Sequence, residues 1–240
     1  MGPEVRRGTG NAMSGGMEMH APARRIGLIA DVRANATALA AILAELRGAA
    51  VDRIVALGDL AGDDGHAPET LTALRRAGVH AVTARRGAGA RGRPAVYRPT
   101  PSVLCICPFR GDATSRLDEF RDFAAEAARL RAREPAVAVC CFGHTHRARA
   151  IAVRDSGGVI EMFDAEVTLP DDALTFINPG AAGRRRHDEP AAAFAILDLP
   201  ARKVSFRQVR YEPTTGDAGT HHLDAGPLIP AMLRVAMVRT

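Results

Sequence analysis

Short apolar runs recur along the chain, and each stops at a polar residue. Residues 25–30 form one such run, with Asp31 where it ends. The next segment, residues 38–47, spaces its apolar positions for a helix; Asn35 or Thr37 can cap its start, and Gly48 closes it. Residues 53–57 repeat the design and lead into Gly58-Asp59. A helix over 68–76 follows, with Pro68 in its first turn and Gly78 just past its end. Strand, polar residue, helix, strand is the rhythm of an α/β domain. Residues 136–141 read as a further buried strand, and 103–107, 148–154, 159–163, 174–177, 193–199 and 203–211 also read as strands. Residues 200–202 are short enough to join the last two as a hairpin.

Beyond the 136–141 run the chain reads Phe142-Gly143-His144-Thr145-His146. Positions i and i+2 of an extended chain point the same way, so the two imidazoles would converge on one spot. Imidazole is the commonest metal ligand among side chains. The plainer alternative is a strand-end turn with two solvated histidines. The carboxylates weigh against it, because Asp31 and Asp59 sit at matching strand ends. In open α/β sheets ligands bind beyond the carboxyl ends of the strands. Either aspartate alone would read as a helix cap. Four coinciding ends point to a metal or phosphate site at Asp31, Asp59, His144 and His146.

Asp31, Gly58-Asp59 and Gly143-His144-Thr145-His146 resemble three signature blocks of the calcineurin-like metallophosphoesterases. Ile177-Asn178-Pro179-Gly180, Asp188-Glu189-Pro190 and the strand over 193–199 are similar to the tail of the bacterial single-domain branch. The resemblance runs from Arg25 to Tyr211. It implies an α/β fold, a four-layer α/β/β/α sandwich of two mixed sheets packed face to face. The strands over 148–154, 159–163, 174–177, 193–199 and 203–211 would then make up the second sheet. It also implies hydrolysis of phosphoesters with divalent metal, which would be Mn, Fe, Zn or Mg.

Three blocks depart from the family pattern. Asp-x-His reads Asp31-Val32-Arg33, Gly-Asn-His reads Gly87-Ala88-Gly89, and His-Gly reads Cys107-Pro108. By resemblance, one metal position keeps Asp31, Asp59 and His146, while the other keeps Asp59 and His144, with Cys107 as a possible thiolate ligand. The histidine that protonates the leaving group aligns with Gly89 and is absent. Guanidinium has no lone pair, so Arg33 cannot ligate a metal. Beside Asp31 and Asp59 it would act as a fixed cation, a metal surrogate that also offers bidentate hydrogen bonds to phosphate. Two-metal hydrolysis needs both ions to activate water and clamp the leaving oxygen. The expectation is therefore at most one metal per chain, or none, with weak hydrolysis.

Composition narrows the class. The chain has 240 residues, 47% hydrophobic but only 4% aromatic, which suits one domain with a core of Ala, Val, Leu and Ile. Residues 1–24 read as a flexible leader or added residues, 25–212 as the domain, and 213–240 as a linker with an amphipathic helix over 228–238. No apolar run has the length to cross a bilayer, and 1–24 lack the apolar stretch of a secretory signal. The cysteines at 105, 107, 140 and 141 fall on expected buried strands, and neither close pair bridges easily. Reduced core thiols fit a cytoplasmic protein.

The net charge is +5, which suits an anionic partner. Arginines cluster at Arg85-Arg86, Arg91, Arg93 and Arg98, and again at Arg184-Arg185-Arg186. By resemblance the loops carrying Arg85, Arg86, Arg184 and Arg185 border the site and join Arg33 in holding a small phosphorylated ligand. The simpler reading is a solvated basic surface. Both loops nearly lack aromatic residues, which weighs against single-stranded nucleic acid. His66, His80, His187, His221 and His222 read as surface residues. Three classes stand: a phosphoesterase with a simplified site, an inactive relative that binds a phosphorylated ligand or protein partner, and a nucleic-acid binder. A shared fold does not choose between them.

Overall fold

A computed structural model describes residues 22–60, 68–83, 95–107, 120–183, 190–213 and 234–236. The first elements are β1 (Arg25–Ala30), α1 (Ala36–Gly48), β2 (Arg53–Leu57) and α2 (Pro68–Arg76), close to where the apolar pattern put them. Asn35 is the cap of α1, its Oδ1 accepting the Ala38 N–H at 2.9 Å. The helix buries Ala38, Leu39, Ile42, Leu43 and Leu46, one face at helical spacing. The chain continues through β3 (His80–Val82), β4 (Ala95–Thr100), β5 (Val103–Cys107), α3 (Phe120–Arg133) and β6 (Val139–Phe142). It then runs through β7 (Arg149–Arg154), β8 (Val159–Met162), β9 (Glu166–Thr168), β10 (Ala173–Asn178), β11 (Ala191–Asp198), β12 (Lys203–Arg210) and β13 (Arg234–Ala236).

The strands form two mixed sheets, ordered β3-β2-β1-β11-β12-β9 and β13-β8-β7-β10-β6-β5-β4. Within the first, β1, β2 and β3 run parallel, and β11 adds to β1 antiparallel. Within the second, β5, β6 and β10 run parallel. Alternate residues of both sheets meet in a shared core: Ile26, Leu28, Val55 and Leu57 from one face Val103, Cys105, Val139 and Cys141 from the other. The opposite face of the first sheet packs on α1 and α2 through Ile29, Ala56 and Phe194. That of the second packs on α3 through Phe123, Phe142 and Phe176. The result is the expected α/β/β/α sandwich. Burial on both faces explains why the strands read as continuous apolar runs.

Two expectations need correction. The strands over 193–199 and 203–211 were assigned to the second sheet, yet β11 and β12 extend the first, with Leu28 opposite Ala195. Periodicity specifies which faces are buried, not which neighbour supplies the hydrogen bonds. Residues 234–236, expected within a helix, form a strand against β8, with Val235 opposite Ile160. Pairing with a free sheet edge overrides the helical pattern there. The reading also missed α3, although Phe123, Ala127 and Leu130 have helical spacing and are buried. Among the described residues no helix is long and apolar enough to cross a membrane.

Phe176, with no exposed surface, meets Phe123 edge-on at 5.2 Å between ring centroids. Phe176→Ala should cost about 3–5 kcal/mol of folding stability by denaturant titration. A loss well under 1 kcal/mol would show that this packing does not hold α3 to its sheet.

Candidate metal and phosphate site

Three loops meet at the carboxyl ends of β1, β2 and β6. The first two are tied by the backbone: Arg33 N–H donates to Asp59 O at 2.9 Å, and Ala34 N–H to Leu60 O at 2.9 Å. The loop after β10 joins them, with Ala182 N–H on Ala30 O at 2.8 Å and Gly183 N–H on Asp31 O at 3.0 Å. A Cβ at Gly183 would lie 1.9 Å from Val32 O, so only glycine allows this approach. Gly143 plays the same part for the histidine loop, since a Cβ there would lie 2.6 Å from Leu57 O. Asp31, Arg33, Ala34, Asp59, His144 and His146 all have φ between 27° and 80°. Left-handed backbone at non-glycine residues is held only where surrounding contacts over-determine it, as at functional sites.

Asp31 is the centre of this arrangement and is almost fully buried. Its Oδ2 accepts the His144 backbone N–H at 3.0 Å. Its Oδ1 is buried without a hydrogen-bond partner and faces His146 Nε2 at 3.7 Å. Burial pushes the Asp31 pKa up to about 7; the His144 amide opposes this, the Asp59 charge adds to it, and Arg33 opposes it. Asp59 is more exposed, and Arg33 Nη2 stands 3.8 Å from its Oδ2. That distance is an ion pair rather than a hydrogen bond. Arg33 thus sits against Asp59 rather than between the two carboxylates, and its Nε is buried without a partner.

His146, not His144, brings its ring to a carboxylate. His144 contributes its amide instead, because the chain leaves the strand at Phe142 and enters a turn where alternation no longer applies. Cys107 is drawn into the shared core, its sulfur 3.0 Å from where a Gly58 Cβ would lie. Arg85, Arg86, Arg184 and Arg185 lie outside the described residues, as do Gly87, Ala88, Gly89 and Pro108. His66, His187, His221 and His222 lie outside them too, while His80 is exposed and stacks on Tyr97.

Sequence reasoning gave Asn178 no part in the site. Fully buried at the end of β10, its Nδ2 donates to Gly143 O at 3.1 Å and Thr145 Oγ1 at 3.0 Å. Its Oδ1 accepts the Gly180 N–H at 2.9 Å. Asn178 therefore braces the turn that carries both histidines. An amide ending an apolar strand was the available signal.

Two donors sharing a divalent ion at roughly 2.0–2.2 Å stand about 3–4 Å apart. Asp31 Oδ1 and His146 Nε2, 3.7 Å apart, meet that spacing. Among the described residues no three His, Cys, Asp or Glu side chains gather as a metal cluster, so Asp59 is not drawn in with them.

Residues 110–202 match the family described as the calcineurin-like phosphoesterase superfamily domain. That span holds the histidine loop and Asn178 but not Asp31 or Asp59. The crystal structure of a metallophosphoesterase from Sphaerobacter thermophilus matches with a TM-score of 0.53 and 24% identity, over 78% of this chain and 89% of that one. A hypothetical protein from Pyrococcus horikoshii OT3 matches with a TM-score of 0.55 and 15% identity, over 78% and 88%. No curated protein matches. The fold is that of the metallophosphoesterases.

With metal removed by chelator, stability should fall as pH rises between about 4 and 7. Native Asp31 keeps its proton up to about 7, whereas the unfolded carboxyl loses it near 3.8. The native state therefore binds more protons in that window, and unfolding gains as they leave. Asp31→Asn should remove that part of the slope. Thermal midpoints of both proteins across the range decide it; parallel curves would contradict the buried-acid assignment.

Proposed function

We propose that this chain binds a phosphoester ligand at the Asp31, Asp59 and His146 end of the sandwich, with at most one divalent ion and weak hydrolysis. The observation that carries this reading is the Arg33 guanidinium beside Asp59, 3.8 Å from its Oδ2. A fixed cation next to the carboxylate that would bridge two ions repels a second ion and cannot replace its ligand chemistry. Asp31 and His146 remain available to one ion, whether Mn, Fe, Zn or Mg. Such an ion would supply Lewis acidity and lower the pKa of a bound water.

The chain's own residues account for the rest. The guanidinium of Arg33 offers paired N–H donors to phosphate oxygens. Asp31 and His146 set the charge of the floor. Asn178 fixes the turn that presents His146. Gly89 stands where the resemblance calls for the leaving-group acid, and a general acid is typically worth about 10²–10⁴-fold in rate. That absence favours binding over turnover, and a wholly inactive phospholigand binder is the second reading.

Elemental analysis of protein purified without chelator should find no more than one divalent ion per chain. Turnover of aryl phosphates with Mn²⁺ should be slow, and abolished by Asp31→Asn. Two stoichiometric ions per chain, or fast turnover, would overturn the reduced-site reading. A complete lack of turnover with retained phosphate binding would select the inactive binder.

A further inference from the structure

A cleft of about 620 Å³ opens at the other end of the first sheet. Arg53 begins β2 and Leu57 ends it, two residues before Asp59, so the strand sets the two ends roughly 13 Å apart. The volume lies in the range of small-molecule sites. One wall is apolar, from Leu46, Val51 and Ile54. The other is polar and aromatic: the His80 and Tyr97 rings stack with centroids 3.4 Å apart, and Arg53 Nη1 donates to Tyr97 OH at 2.6 Å. Arg47, in the last turn of α1, completes the rim.

The charge balance of this cleft is positive. Among the described residues neither Arg47 nor Arg53 has an acidic partner. Asp52 lines the cleft as well, but its Oδ2 accepts the backbone N–H groups of Arg24 and Arg25 at 2.8 and 2.7 Å. The carbonyls ending α1 and α2 are also taken. Ala49 O accepts Arg25 Nη1, Glu45 O accepts Ala49 N–H, and Leu74 O accepts Val79 N–H. The negative helix ends therefore leave little unmet demand for donors. Partial desolvation and the nearby Arg53 charge keep the His80 pKa below its usual value, so the stacked pair is neutral at neutral pH.

We propose that this cleft is a second ligand site, for a small organic anion with a flat body, of the kind a nucleoside monophosphate represents. The phosphate or carboxylate meets Arg53 and Arg47 as charge-assisted hydrogen bonds. The flat body lies between the apolar wall and the aromatic pair. The assignment is independent of the Asp31 site.

The test is isothermal titration of the full chain with adenosine 5′-monophosphate, with adenosine and inorganic phosphate as separate arms. The nucleotide should bind, and each half alone should bind at least about tenfold more weakly. Arg53→Ala and Arg47→Ala should each weaken the nucleotide about tenfold, the scale of one charge-assisted hydrogen bond. Arg47 is exposed and makes no side-chain bond among the described residues, so its variant decides the matter if Arg53→Ala fails to fold. Adenosine 5′-monophosphate is itself a phosphoester, so both cleft variants are also measured in Arg33→Ala protein, where the Asp31 site is weakened and the losses through Arg53 and Arg47 should persist. No binding at millimolar nucleotide would overturn the proposal. So would Arg53→Ala and Arg47→Ala leaving the nucleotide affinity of that Arg33→Ala protein unchanged.

Discussion

One hydrogen bond stitches the two sheets together at the candidate site. Asp31 ends a strand of the first sheet, and His144 follows a strand of the second; the His144 amide donates to Asp31 Oδ2 across the sandwich at 3.0 Å. The bond depends on close backbone approach, which Gly143 permits by carrying no Cβ against Leu57 O. Asn178 locks the same turn from below. Once Asp31 is fixed and buried, its second oxygen has nowhere to turn except towards His146. The geometry of the site follows from that constraint.

The electrostatics follow as well. A buried carboxylate lacking a full set of donors is costly to keep charged, so Asp31 shifts towards neutrality and is ready to welcome a cation. Asp59 sits in a more open place and has Arg33 for company. Two neighbouring acids thus receive different answers to the same repulsion: one lies beside an imidazole, the other beside a covalently tethered positive charge. Such a tethered charge needs no metal supply, and it also gives up the Lewis-acid chemistry that a metal would bring.

Much of this was legible in the chain. Asp31, Asp59 and His146 could be placed because each follows an apolar run, and strand ends in α/β sheets converge on one side. His144 was half legible. Its position was right, but the left-handed turn, with φ of 80° at His144 and 58° at His146, breaks the alternation that would align both rings. The pairing of β11 with β1 was not legible, since the pattern of burial says nothing about which edge is free. The core placement of Cys107 was legible from the apolar strand that carries it. Asn178 was seen as part of a motif, yet its role needs the three-dimensional approach of Gly143 and Thr145.

The account turns on Arg33 standing where a second cation would otherwise bind. Arg33→His removes the tethered charge and supplies an imidazole lone pair at the same position. Titration of Mn²⁺ into wild type and Arg33→His, followed by calorimetry, measures the outcome directly. The account predicts no more than one bound ion in the wild type and a gain in Mn²⁺ affinity or number in the variant. Equal affinity and equal stoichiometry in the two proteins would contradict it.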